Sequence, residues 1–492
     1  MIYPTLEQAQ TLVAGGEYRR IPIELEINAD MVTPIMAVRR FKKVSRHCFL
    51  LESAEANKTW GRYTFLGFDP TLELTCQDGE LTIRNAGMTI REKVAHPKEA
   101  IRKILSDNRA PSLPGMPPFS GGLVGYFSYD YIKYSEPTLS LEASDSESFK
   151  DVDLMLFDRV IVFDNVRQKI CLIANVPTDN LETNYHKGLM DLENMRKLLL
   201  EGTMAENPPL VLKSEFRTLF DKASYCEMVR KGKSYIHEGD IFQVVLGNRI
   251  EADMEGSLFD TYRILRTTNP SPYMFYFSSD DVEIAGASPE TLVKLENGTL
   301  HTFPLAGTRP RGADELEDFR LERELLADEK ERAEHNMLVD LGRNDIGRIA
   351  KIGSVEVEKY MEVTKYSHVM HIGSTVRGEL REDRDALDAV DSILPAGTLS
   401  GAPKLRACEI ICELENNKRG IYGGAIGYID FTGNLDTCIA IRLAFSKNNK
   451  VFVRSGAGIV ADSVPENEYQ ECINKAAAVM NALKLAEGGI DA

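Results

Sequence analysis

A fold that mixes β-strands with long helices is what the 492-residue sequence predicts, and three observations predict it. Short apolar runs punctuated by turn residues crowd the first 200 residues, helical periodicity returns repeatedly after residue 220, and an apolar fraction of 43% supplies a sizeable core. The length implies two to four domains, or two large ones.

Taken in order, RHCFLLES (46–53) reads as a strand. TLELTCQDGELTIRN (71–85) reads as two strands about an Asp-Gly turn, and residues 153–176 are again strand-like. A helical run ends near KLLLEGTM (197–204), and the Asn-Pro-Pro of AENPPLVLKSEF (205–216) breaks any continuation. This linker divides the chain into 1–205 and 206–492, with structural units free to interleave across it. Beyond it a helix is expected over 220–240, then strands at FQVVLGNRIEA (242–252) and PYMFYFSS (272–279).

LERELLADEKERAEHNMLVDL (321–341) reads as one helix with Glu331 and Glu334 on one face. PENEYQECINKAAAVMNALKLA (465–486) starts at a proline suited to the first helical position and sets Glu471 four residues before Lys475. Spacing alone makes these solvated, salt-bridged faces. TCIAIRLAFSK (437–447) reads as one alternating strand, with Thr437, Ile439, Ile441, Leu443 and Phe445 on one side. Arg442 then projects from the other side between Ala440 and Ala444, open to a ligand carboxylate or simply exposed.

Several function classes are excluded. With 58 Lys and Arg against 75 Asp and Glu, the net charge is −17, which opposes phosphate-backbone binding, so no nucleic-acid partner is expected. No run approaches the ~18 apolar residues of a membrane span, and MIYPTLEQAQ lacks the features of a signal peptide, so a cytoplasmic protein without membrane contact is expected. The eight cysteines are scattered; Cys408 and Cys412, four apart on an expected helix, lack further ligands for zinc. VFVRSGAGIVA (451–461) contains G-x-G-x-x-A, but the next helix starts only at Pro465 and too little chain follows for a dinucleotide fold. What survives is a strand whose Gly456 and Gly458 let backbone N–H groups approach an anion. There is no P-loop motif.

The segments PLAGTRPRG (304–312), DEKERAEHNMLVDLGRNDIGRIA (328–350), LPAGTLSGAPK (394–404), GIYGGAIGYID (420–430) and RSGAGIVADSVPENEYQE (454–471) occur in this order. Together they resemble the chorismate-utilising enzymes over most of residues 220–486. LLES (50–53) and NPSPYMFYF (269–277) further resemble the feedback site of the members that make anthranilate. The resemblance implies an α+β fold in which antiparallel sheets form a sandwich-like core wrapped by helices. It also implies a lyase reaction: chorismate and ammonia give anthranilate and pyruvate, in tryptophan biosynthesis.

Two positions sharpen that activity. Gln243 stands where isochorismate- and salicylate-forming relatives carry a water-activating lysine, and an amide cannot act as that base. Ala306 stands where aminodeoxychorismate-forming relatives carry an adduct-forming lysine, which opposes that alternative. A catalytically inactive tryptophan-sensing paralogue is a further alternative, opposed by Glu290, Glu334, His371, Arg442 and Glu471 all being present.

By resemblance, Glu290 is the general acid for the leaving hydroxyl, and Thr398 and Lys475 assist in the same site. His371 is associated with pyruvate elimination, and His368, three residues away along a strand, takes a structural place. Mg²⁺ is implied at Glu334 and Glu471, with Glu331 acting through a metal-bound water. Chorismate is implied to meet Gly307, Thr308, Tyr422, Arg442 and the Gly456-Ala457-Gly458 backbone. L-Tryptophan, the inhibitor, is implied at Ser53, Pro272, Tyr273 and Met274. No glutamine-amidotransferase segment is read in the chain, so a separate glutaminase subunit, two copies of each in a heterotetramer, is the implied ammonia source.

Overall fold

The computed structural model describes residues 2–54, 61–365 and 369–490. Two large, mainly antiparallel sheets face one another, one of fourteen strands and one of twelve among the described residues. Phe49, Phe275, Phe445 and Phe452 of the first sheet meet Val124, Tyr126, Met155 and Ile426 of the second in one buried cluster. Alternation explains the arrangement: every second side chain of each strand enters this shared interior, and the others need separate cover.

Helices supply that cover. Over the first sheet, Leu192 and Met195 of helix Leu181–Glu201, Tyr262 and Leu265 of helix Phe259–Thr268, and Val479 and Leu483 of helix Pro465–Ala486 join one cluster. Over the second, Ile101 and Ile104 of helix Lys98–Asp107, Val339 and Ile346 of helix Glu329–Gly347, and Leu387 and Val390 of helix Ala386–Ile393 do the same. The sandwich wrapped by helices is therefore the fold. Both sheets draw strands from either side of residue 205.

Local chemistry sets several elements as the sequence suggests. The 71–85 segment is a hairpin, Leu72–Gln77 against Glu80–Asn85, and its turn residues Asp78 and Gly79 take φ values of 48° and 81°. Such positive angles match the twist of the strands and suit Asp-Gly. Strands occur at Cys48–Glu52, Gln243–Glu255 and Tyr273–Ser278, and a helix at Lys222–Glu238. Residues 153–176 contribute to three strands, Val152–Phe157, Arg159–Asp164 and Lys169–Pro177.

Two expectations are corrected. The single helix over 321–341 is two helices, Glu315–Ala327 and Glu329–Gly347. Asp328 starts the second, its carboxylate accepting from the Lys330 and Glu331 backbone N–H groups at 3.0 and 3.2 Å. The single strand over 437–447 is also two. Leu435–Ile439 belongs to the second sheet and Leu443–Lys447 to the first, so the chain changes layer between them. Cys438 and Ala440 face the sandwich interior, and so do Leu443 and Phe445, which reverses the alternation across the crossing. Arg442 lies at that crossing with φ 54°, a left-handed angle costing roughly 1–3 kcal/mol for a non-glycine residue.

Candidate functional site

A cavity of about 230 Å³ opens beside this crossing. Its walls include Glu290, Thr308, His371, Thr398, Tyr422 and Arg442, together with Gly456, Gly458 and Lys475. These nine residues, all singled out in the sequence, are thus brought to one place from eight different elements and loops. Gly456 and Gly458 lie in strand Lys450–Ile459, where a Cβ on Gly456 would come within 3.1 Å of the Tyr422 hydroxyl and one on Gly458 within 2.5 Å of Gln243 Nε2. Their missing side chains keep the cavity open. Ala457, between them, turns its side chain into the core and offers only its backbone.

Glu290 follows strand Glu283–Ser288 and is held by Thr398, whose hydroxyl donates to Oε1 at 3.0 Å. Burial pushes the Glu290 carboxyl up to about 7, against the opposing pull of the Thr398 hydrogen bond and the Lys475 charge. A carboxyl at that value keeps a substantial protonated fraction near neutral pH. His371 donates from Nδ1 to the Gly307 carbonyl at 2.8 Å and lies 3.2 Å from the Thr308 hydroxyl, which makes Nε2 the basic nitrogen. Burial holds His371 below its usual pKa against the opposing pull of the Gly307 hydrogen bond, and the Arg442 charge adds to the lowering, which favours the neutral ring.

Arg442 donates to the Lys475 carbonyl at 2.9 Å and makes no ion pair with any described carboxylate. Burial lowers its pKa accordingly. A half-buried guanidinium with no ion-pair partner among the described residues is suited to receive an anionic ligand.

On helix Pro465–Ala486, Glu471 pairs with Lys475 at 2.6 Å. On helix Glu329–Gly347, burial raises the Glu334 carboxyl, Glu331 raises it further, and Lys330, Lys475 and a Gln243 hydrogen bond only partly offset this. Gln243 Oε1 is buried without a partner. Glu331 also pairs with Arg309 at 3.6 Å and borders Gly307. Carboxylate oxygens are the donors a hard divalent cation prefers, so Glu334, under-compensated, and Glu471, with Lys475 beside it, fit Mg²⁺ by donor chemistry. Among the described residues, clusters of three ligand-capable groups lie elsewhere, at Glu24, Glu26 and Cys171 and at His47, Glu73 and Asp280. Two carboxylates leave the remaining positions to water and substrate.

A second pocket brings Ser53, Pro272, Tyr273 and Met274 together between the sheets, with Phe65 and Tyr428 among its walls. Tyr273 donates to Asp436 at 2.9 Å, and burial raises Asp436 to about 6. Glu52 receives Arg266 at 2.8 and 3.1 Å and contributes the pocket's other carboxylate. His368 lies outside the described residues.

The sequence reading omitted Arg454 and Pro289, which also line the first cavity. Arg454 had a signal: it shares a strand face with Gly456 and Gly458 at a spacing of two. All eight cysteines are free, Cys408 buried and Cys412 half-buried on helix Lys404–Glu415. Among the described residues, no helix is long and apolar enough to cross a membrane.

The chain belongs to the chorismate binding enzyme family, which matches residues 46–481. It is 46% identical to anthranilate synthase component 1 of Acetivibrio thermocellus, covering 99% of each chain. It is 44% identical to anthranilate synthase component 1 of Aquifex aeolicus (strain VF5), covering 98% of each. Among solved structures, anthranilate synthase component I from Streptococcus pneumoniae TIGR4 superposes with a TM-score of 0.74 at 37% identity, over 92% of this chain and 98% of that one. The menaquinone-specific isochorismate synthase of Escherichia coli shares the fold, with a TM-score of 0.69 at 18% identity over 97% and 98% of the two chains.

Proposed function

We propose that this chain is the chorismate-converting subunit of an anthranilate synthase, forming anthranilate and pyruvate from chorismate and ammonia. The observation that carries the reading is Glu290: a buried carboxyl at about 7, fixed by Thr398, in one cavity with the unpaired guanidinium of Arg442. Loss of the ring hydroxyl needs a proton donor at neutral pH, and Glu290 holds that proton. Arg442, Tyr422 and the Gly456–Gly458 backbone receive the enolpyruvyl carboxylate, while Gly307 and Thr308 border the ring. His371, neutral and fixed by Gly307, presents Nε2 for the elimination of pyruvate. Lys475 carries positive charge beside Glu290.

Glu334 and Glu471 would hold Mg²⁺, with Glu331 contributing through water; a bound Mg²⁺ would anchor the ring carboxylate and neutralise its charge. Gln243 and Ala306 supply neither lysine that related chemistries use, which favours ammonia as the nucleophile. A separate glutaminase subunit delivers it, two of each in a heterotetramer. L-Tryptophan binds at Ser53 and Pro272–Met274 as feedback inhibitor. The test is direct: the purified chain with chorismate, Mg²⁺ and ammonium should produce anthranilate fluorescence and stoichiometric pyruvate. An aminated product that keeps its enolpyruvyl arm would assign the chain to aminodeoxychorismate formation instead.

A further inference from the structure

Behind Tyr422 the cavity floor rests on three buried charges. The side chains of Arg419, Glu415 and Arg454 are each 1% exposed. Glu415 accepts from Arg419 Nη2 at 2.5 Å and Nε at 3.0 Å, from Arg454 Nη2 at 2.5 Å, and from the Gly247 N–H at 2.6 Å. Two guanidiniums therefore share one carboxylate, and among the described residues neither arginine has another ion-pair partner. The cluster carries one positive charge without a counter-ion, and Arg454 Nε is buried with no hydrogen-bond partner. Stability alone does not call for this arrangement, since an uncompensated buried charge costs several kcal/mol.

The surplus charge has a route to the cavity. Arg419 Cζ lies 5.8 Å and Arg454 Cζ 6.0 Å from the centroid of the Tyr422 ring. A cation against a phenol ring is attracted to its π-electrons, and by drawing electron density it strengthens the hydroxyl as a hydrogen-bond donor. Arg419 also donates to the Leu399 carbonyl at 2.5 Å and the Val245 carbonyl at 2.7 Å, fixing the segments that carry Thr398 and Gln243.

We propose that Arg454, Glu415 and Arg419 form a buried positioning cluster whose net positive charge, relayed through Tyr422, recruits a substrate carboxylate to the cavity. The inference rests on chorismate being the ligand. It assigns a second carboxylate-recognition element to a cluster that borders the cavity only through Arg454 and acts through Tyr422, with Arg442 making the direct contact.

The test is a double-mutant cycle on the full chain, read as KM and kcat for chorismate with ammonium as donor and as chorismate affinity by calorimetry. Arg454→Met should raise KM and the dissociation constant about tenfold with kcat within about twofold, and Arg454→Lys should restore KM to within about threefold. In a Tyr422→Phe background the Arg454→Met effect should shrink below about threefold, because the hydroxyl that relays it is gone. Should Arg454→Met not fold, Arg454→Lys decides alone: it keeps the charge but loses the Nη1 bonds to Asn417 and the Lys418 carbonyl, and should leave KM within about threefold, whereas a purely structural cluster would raise KM with those bonds gone. An equal Arg454→Met effect in both backgrounds, or a loss confined to kcat, overturns the inference while leaving the functional reading intact. Wild-type protein that fails to bind chorismate overturns both.

Discussion

The Thr398 hydroxyl meets the Glu290 carboxylate at 3.0 Å, and this bond, with the Lys475 charge, opposes the burial that holds Glu290 at about 7. Because the hydroxyl donates to the ionised form, Thr398→Val should raise the Glu290 pKa further. The alkaline limb of the kcat/KM profile for chorismate, where the acid loses its proton, should then move to higher pH. A limb that stays in place would separate Thr398 from the proton donor.

Burial of Glu290 also leaves a mark on stability. Its folded pKa of about 7 lies above the ordinary 4.5, so the unfolded chain ionises first as pH rises. Stability contributed by the protonated group is complete below the ordinary value and is lost as pH climbs to about 7. Glu290→Gln, which cannot ionise, should abolish turnover and yet be more stable than the parent by up to roughly 3 kcal/mol near pH 8, with no gain near pH 4. Urea unfolding at the two pH values measures this, and a pH-independent difference would refute it.

For the metal, Glu334→Gln and Glu471→Gln should each remove Mg²⁺-dependent activity while shifting stability by about 1 kcal/mol or less. EDTA should reproduce the loss in the parent. Calorimetric titration with Mg²⁺ gives a readout independent of turnover, and undiminished binding in either variant would remove that residue from the metal site.

For regulation, Ser53→Phe fills the pocket shared with Pro272, Tyr273 and Met274. Catalysis should persist with inhibition by L-tryptophan lost, since an effector acts only through its differential affinity for two states. Inhibition as strong as in the parent would move the effector elsewhere.

The nitrogen source has its own pH signature. Free ammonia grows about tenfold per pH unit below the pKa of ammonium, while protonated Glu290 declines at the same rate once pH passes its pKa. With ammonium as donor, kcat/KM for ammonium should rise up to about pH 7 and flatten above it. Glutamine should support no synthesis until a glutaminase subunit is added. Synthesis from glutamine by the isolated chain would exclude the two-subunit arrangement.

Alternation and turn chemistry made the strands and the 71–85 hairpin legible, because Asp78-Gly79 encodes its turn locally. The break at Asp328 was legible too, since Asp-x-x-Glu starts helices, but the continuous charge pattern of 321–341 masked it. Arg442 was singled out for an alternation that does not exist. No glycine or proline marks residues 440–443, and the layer change there is imposed by tertiary pairing, with Gly423 N–H donating to the Ala440 carbonyl at 2.8 Å and Ala287 N–H to the Arg442 carbonyl at 3.1 Å. The Arg419–Glu415–Arg454 cluster stayed hidden because its members come from a helix, a loop and a strand that meet only in the fold.

The chain between Ile439 and Leu443 is a covalent strap across the two layers of the sandwich. Its ends are woven into opposite sheets, so any shear or change of spacing between the layers is taken up over three residues, the last of which is Arg442. The guanidinium in the cavity is thus placed where such a change would be felt. A molecule wedged between the sheets at Ser53 and Tyr428 would be read out at Arg442 as a displacement, with no need for contact between the two sites.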